Sequence, residues 1–242
     1  VEMLAWFHRC GQGFQPVDLP AVREEWGAWP RRFAGRIEEF YGLEEKARAE
    51  EGDRFAHYYL RYFGDFLSAA AKALEELEAG PYTRIVEAER ERGGLCHRDY
   101  TGKNLILRDD GALFLTDFDD LARDTRLEDI GKFLVRQGQW NLERILFILH
   151  VYHGVTPLTR DEVTCLVAFL RFPFEFWSLA NAHFSGRKVD RHALKRLVEE
   201  QAGREEVTEG LRRADLTFLT GANVLYSQGF AGLPEVPTGK AW

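Results

Sequence analysis

Residues 96–120 read "CHRDYTGKNLILRDDGALFLTDFDD". Two short apolar runs, around Leu105–Leu107 and Leu113–Leu115, flank Asp110-Gly111. An Asp-Gly pair between such runs signals a β-hairpin. Before the hairpin stand His97-Arg98-Asp99, with Asn104 five residues after the aspartate. After it stands Asp117-Phe118, thirteen residues beyond Asn104. A hairpin folds its two ends back together, so the spacing predicts Asn104 and Asp117 as neighbours.

These residue types suit phosphoryl transfer. A hydroxyl that attacks phosphorus needs a carboxylate within hydrogen-bond reach to orient it and take its proton. Magnesium on nucleotide phosphates needs hard oxygen ligands, which an asparagine amide and a carboxylate supply. The spacing parallels the H-R-D-L-x-x-x-N and D-F-G signatures of protein kinases. A loop-capping Asp and Asn beside a solvated turn would explain any one of these residues. It does not explain all three in order around an apolar hairpin.

The other protein-kinase signs fail. Asp119 replaces the glycine of D-F-G. The helical pattern "RLEDIGKFL" follows within about ten residues, leaving no activation loop and no A-P-E. The stretch "LCHRDYTGKNLIL…LTDFDDLARDTRLEDIGKFLVR" instead resembles the aminoglycoside phosphotransferase and choline kinase-like superfamily. Within it the chain is most similar to the CotS-type spore-coat kinase-like proteins. That branch carries H-R-D where the aminoglycoside enzymes usually carry H-G-D. The opening "MLAWFHRCGQGF" resembles the branch's helix just after the hinge between lobes.

The resemblance implies a protein-kinase-like C-terminal lobe, mainly α (α+β), helical with one small β-hairpin. It implies an ATP-dependent phosphotransferase acting on a hydroxyl of a small molecule, with Mg2+ and ATP as cofactor and phosphate donor. Asp99 would be the catalytic base, and Asn104 and Asp117 the metal and nucleotide ligands. His97, Arg98 and Asp129 would support the catalytic loop, Asp129 through hydrogen bonds to its backbone. The alternative is a kinase-like structural protein of the spore coat with little turnover. No G-x-G-x-x-G and no V-A-I-K strand occur. The expectation is therefore a C-terminal lobe, residues 1–230, without the N-terminal lobe that grips nucleotide, and an irregular tail, 231–242. The chain alone would then be inactive, the missing lobe being its natural partner.

Composition bounds the rest. The 242 residues are 45% hydrophobic and 13% aromatic, as in a globular protein. The net charge of −7 argues against a nucleic-acid partner. Apolar runs such as "VTCLVAFL" fall short of the ~18 residues of a membrane span, so no membrane association is expected. The expected compartment is the cytoplasm, and the resemblance adds the spore coat. Three scattered cysteines suggest neither disulfides nor zinc, and Cys96 reads as a small buried hydrophobe. Lys103 reads as an exposed lysine in a polar turn.

The clearest helix lies in "DRFAHYYLRYFGDFLSAAAKALEELEAGP". Its Phe55, Tyr59, Tyr62, Phe66, Ala70, Leu74 and Leu77 recur at the spacing of one buried face. Leu4, Phe7 and His8 share a face of the first helix, which Gly11 and Gly13 end. Asp18 with Pro20, Thr159 and Asp190 are expected helix caps. Asp119, Asp120, Asp124 and Glu128 give the catalytic end an acidic reading. With Trp140, Phe174, Phe176 and Trp177 they suggest a cationic acceptor, set against a solvated turn and a packed core.

Overall fold

The computed structural model describes residues 1–14, 22–190, 192–214 and 216. The expected cap at Asp18 and the tail 231–242 lie outside them. The first helix, α1 (Glu2–Cys10), buries Leu4, Ala5 and His8 and stops at Gly11. A two-residue strand β1 (Arg23–Glu24) precedes α2 (Ala28–Ala49), which starts from Gly27 in the left-handed region at φ 71°. Glycine carries that angle without a Cβ clash, and Pro30 fits the first turn, where its missing N–H costs nothing.

Helix α3 (Arg54–Ala79) opens on Asp53, whose side chain accepts from the Phe55 N–H. Its buried face comprises Ala56, Tyr59, Phe63, Phe66, Ala70, Ala73 and Leu77. Tyr59, Phe66, Ala70 and Leu77 lie where the periodicity put them. Phe63 and Ala73 take the deep positions expected of Tyr62 and Leu74, because α2 packs along α3 and turns the buried stripe toward itself. Helix α4 (Tyr82–Arg92) ends at Gly93, again left-handed at φ 67°.

Strands β2 (Leu105–Leu107) and β3 (Leu113–Leu115) form the expected antiparallel hairpin, with Leu105 opposite Leu115. The sequence reading missed a second pair. Strand β4 (Ala122–Arg123) runs parallel to β1, and Ala122 also bridges Cys96. At two residues each, these strands carry no readable period.

Helices α5 (Leu127–Gln137), α6 (Leu142–Val155), α7 (Arg160–Arg171), α8 (Phe174–Phe184) and α9 (Ala193–Arg213) complete the described elements. Thr159 caps α7 with a full capping box through Glu162. Asp190 accepts from the His192 N–H just ahead of α9, which starts without a side-chain cap.

Helix α7 packs against α3, α5 and α9 and is buried from Val163 to Arg171 except at Thr164. Within Arg160–Phe184 an 18-residue window reaches a mean hydropathy of 1.4, apolar and long enough to cross a membrane by composition. This corrects the expectation that every apolar run is too short. Two thirds of that window is buried inside the fold, and Pro173 divides it into α7 and α8. An all-round apolar helix at the centre of a bundle meets the same compositional test.

Aromatic rings fill the core between α2, α3, α7 and α8. Trp29 and Phe33 are fully buried, with Phe33 4.3 Å from Phe172 and Phe66 3.8 Å from Phe176 between ring centroids. Burying each such ring contributes roughly 1.5–3 kcal/mol. At Gly131 an added Cβ would lie 2.6 Å from the Phe169 ring, so α5 approaches α7 only without a side chain there.

Candidate active site

The loop from Cys96 to Asn104 is held from below by Asp129, on the first turn of α5. This carboxylate is buried and accepts from the backbone N–H groups of His97 and Arg98, both at 2.7 Å. It also accepts from His8 Nε2 at 3.0 Å. A carboxylate can only accept, so Nε2 carries the hydrogen of this contact. His8 Nδ1 lies 2.7 Å from the Tyr152 hydroxyl, whose ionisation burial pushes up. The first helix, α6 and the loop thus share one buried knot.

His97 ties the loop to the hairpin. Its Nε2 donates to the Thr116 carbonyl at 3.0 Å, and its Nδ1 accepts from the Asp99 N–H at 3.3 Å. Thr116 donates from both its N–H and its hydroxyl to the Asn104 carbonyl. The residue before Asp117 is therefore bonded to both His97 and Asn104. The hairpin brings these ends together as the spacing predicts.

Asn104 is buried, and its Nδ2 donates to the Asp99 carbonyl at 2.9 Å and carboxylate at 3.0 Å. With the amide nitrogen committed, Oδ1 is the amide atom left to face a cation. Asp117 is exposed and sits at φ 65°, a region Asp tolerates better than most residues. One amide oxygen and one carboxylate fit Mg2+, which takes one or two protein oxygens and completes its shell with water and phosphate. Among the described residues, two other groups could chelate by composition: His8 with Cys96 and Asp129, and Glu50 with Asp53 and His183. The first is committed to the knot, and its Cys96 thiol donates to the Thr125 carbonyl. Burial and the neighbouring carboxylates push that thiol's pKa well up, consistent with a small buried hydrophobe.

Arg98 also has a positive φ, 69°. A glycine would take that angle freely. Arginine is held there by ion pairs: Asp124 at 3.1 Å and Glu128 at 3.9 Å. Glu128 further receives Arg32 at 2.8 Å, Lys132 at 3.0 Å and the Trp29 indole Nε1–H at 2.7 Å. Burial alone would raise the Glu128 pKa, but Lys132, Arg32 and Arg98 outweigh it and hold it at about 2. Asp124 has less compensation. Burial and the charge of Glu128 push it up to about 7 despite Arg98 and the Thr125 N–H.

The acidic, aromatic surface suggested by the sequence does not form. Asp124 and Glu128 are fully buried and paired, and Phe176 belongs to the core. Arg36 covers the Trp177 ring at 3.6 Å, and Arg204 covers the Trp140 ring at 4.0 Å. Asp119 and Asp120 remain exposed, as does Lys103. Sequence reasoning missed Lys132 and Arg136, which donate to loop carbonyls, and Arg32, which pairs with Glu128. Glu128 and Lys132 show the i,i+4 spacing of a helical ion pair, whereas nothing in the sequence links Arg32 to this place.

Residues 1–154 match the phosphotransferase enzyme family. The chain belongs to that family. Among curated proteins, this phosphotransferase-family chain is 24% identical over 186 residues to spore coat protein S of Bacillus subtilis (strain 168). That alignment covers 75% of this chain and 53% of the relative. Endospore coat-associated protein YutH of the same organism is 23% identical over 195 residues, with 78% and 55% covered. The chain spans about half the length of these curated relatives. The crystal structure of aminoglycoside phosphotransferase from Alicyclobacillus acidocaldarius subsp. acidocaldarius DSM 446 superposes with a TM-score of 0.72. It is 24% identical, with 87% of this chain and 63% of that chain covered. The phosphotransferase-family chain thus has the kinase-like, mainly helical fold and is similar to the spore-coat branch.

Proposed function

We propose that the protein is an ATP-dependent phosphotransferase acting on a hydroxyl of a small molecule, with Asp99 as catalytic base. The observation that carries this reading is the Asn104 side chain. Its Nδ2 fixes Asp99 through two hydrogen bonds, while the backbone carbonyl of the same residue accepts from Thr116, the residue before Asp117. Asp99 orients the acceptor hydroxyl and takes its proton as the acceptor oxygen bonds to the γ-phosphorus of ATP. The bond from that phosphorus to its bridging oxygen breaks, giving a phosphate ester and ADP. Asn104 and Asp117 would hold Mg2+, which when bound neutralises phosphate charge. Asp129 keeps the loop in position from beneath.

About half of each relative's length lies outside the match, and in this reading a second lobe supplies most of the nucleotide grip. The test is ADP release by the full-length protein with Mg-ATP, screened over hydroxylated acceptors. Asp99→Asn should lower turnover by roughly 10²–10⁴-fold while leaving nucleotide binding in place. Turnover that survives Asp99→Asn would overturn the assignment.

A second reading is favoured by the names of both curated relatives. In it the protein is a kinase-like component of the spore coat with little turnover, rather than a cytoplasmic enzyme. Fractionation of spores with an antibody to the protein tests the location, independently of the turnover assay.

A further inference from the structure

A cavity of about 770 Å³ opens between α2, α5, α8 and α9, and Arg98 is part of its lining. Its charged lining is mainly basic. Six cations, Arg32, Arg36, Arg98, Lys132, Arg136 and Arg196, face three carboxylates, Glu128, Glu175 and Glu200. Glu128 is already matched by Arg32 and Lys132, and Glu175 by Arg204 at 2.9 Å. Behind the lining, Glu39 pairs with Arg36, Asp190 with Arg196 and Asp124 with Arg98. Among the described residues Arg136 has no such counterion behind the lining. Its nearest carboxylate is Asp99 itself, at 3.8 Å.

The basic floor is fastened to the candidate transfer loop. Lys132 Nζ donates to the Arg98 carbonyl at 2.9 Å, and Arg136 donates to the Tyr100 carbonyl at 3.3 Å. These carbonyls belong to the residues on either side of Asp99. Lys132 and Arg136 are one turn apart on α5, so both present their heads to the same end of the cavity. The aromatic face that could hold a cationic amine, Trp177, is occupied by Arg36.

We propose that the acceptor is an anion: a small hydroxylated carboxylate or phosphate ester whose negative group sits on Arg136 and Lys132 while its hydroxyl reaches Asp99. This rests on the transfer reading above. Arginine gives a planar, two-pronged match to either anion, and lysine adds a point charge. A cationic acceptor would enter a lining of six cations and three carboxylates. The Asp99 carboxylate, once bonded to the acceptor hydroxyl, releases Arg136 for the anionic group.

The experiment is calorimetric titration of the full-length protein, without nucleotide, with glycerol 3-phosphate, glycerate, glycerol and choline. One or both anions should bind at least about tenfold more tightly than glycerol or choline, and comparing the two distinguishes phosphate from carboxylate. Arg136→Gln should weaken anion binding roughly tenfold. Glu200→Gln, at the exposed rim, should strengthen it about twofold by removing a like charge, a gain that misfolding cannot produce. Choline binding as tightly as the anions, or anion binding indifferent to both substitutions, would overturn the inference. Anion binding without ADP release from Mg-ATP would sink the transfer reading and leave the anion pocket standing. Transfer to a neutral or cationic acceptor, with no anion binding, would do the reverse.

Discussion

Replacing Asp129 by asparagine tests the knot beneath the loop most directly. The wild-type carboxylate receives three donors: two backbone N–H groups at 2.7 Å and His8 Nε2 at 3.0 Å. The amide's better orientation puts its oxygen where Oδ2 was, keeping His97 and His8. Its NH2 then faces the Arg98 N–H, donor against donor. One charge-assisted bond is lost, about 1.5–3 kcal/mol, and a buried donor is left unmatched at about 1–3 kcal/mol. A destabilisation of about 3–5 kcal/mol follows, a large part of a typical domain's stability. Urea unfolding monitored by tryptophan fluorescence should show a lower midpoint at unchanged slope. Hydrogen exchange should show the Arg98 amide losing protection beyond the global change, since it held a residue at positive φ. Asp119→Asn, an exposed carboxylate nearby, serves as control and should stay within about 0.5 kcal/mol. A loss below about 1 kcal/mol in Asp129→Asn, with unchanged Arg98 exchange, would refute the proposed bracing.

Arg98→Gly relieves the left-handed backbone while Arg98→Ala does not, and both lose the same ion pairs. Denaturant titration should therefore find the glycine variant more stable than the alanine variant by about 1 kcal/mol. Asp124 has its folded pKa raised from 3.8 to about 7, so the folded state binds the extra proton and stability from this group falls as pH rises across that interval. The limit is about 4 kcal/mol, reduced by relaxation, and Asp124→Asn should flatten the wild-type decline between those pH values; an unchanged slope would count against it. Gly131→Ala would push a methyl into the Phe169 ring and should cost about 1–3 kcal/mol in chemical denaturation.

Local chemistry made much of this protein legible in its sequence. The Asp-Gly turn fixed the hairpin, and the hairpin alone brings Thr116, and so Asp117, back to Asn104. The capping box at Thr159 and the heavy aromatic period of α3 are likewise written within a few turns of chain. Asp99, Asn104 and Asp117 could be singled out because their order and spacing along the chain carry the pattern.

Charge environment was not legible, because burial and pairing are made by residues far apart in sequence. Asp124 and Glu128 read as a solvated acidic turn. Packing removes them from water and surrounds Glu128 with Arg32, Arg98 and Lys132, drawn from α2, the loop and α5. The same packing covers Trp140 with Arg204 and Trp177 with Arg36, so neither ring is left open to a cationic ligand, and Trp177 with Arg36 forms part of a basic cavity wall. A strand pair of two residues each, β1 with β4, joins segments about a hundred residues apart and has no local signature. Sequence order determines which groups can do chemistry when the distance between them is set by one turn. Only tertiary packing decides their charge, because the field at a buried carboxylate comes from whichever helices close around it.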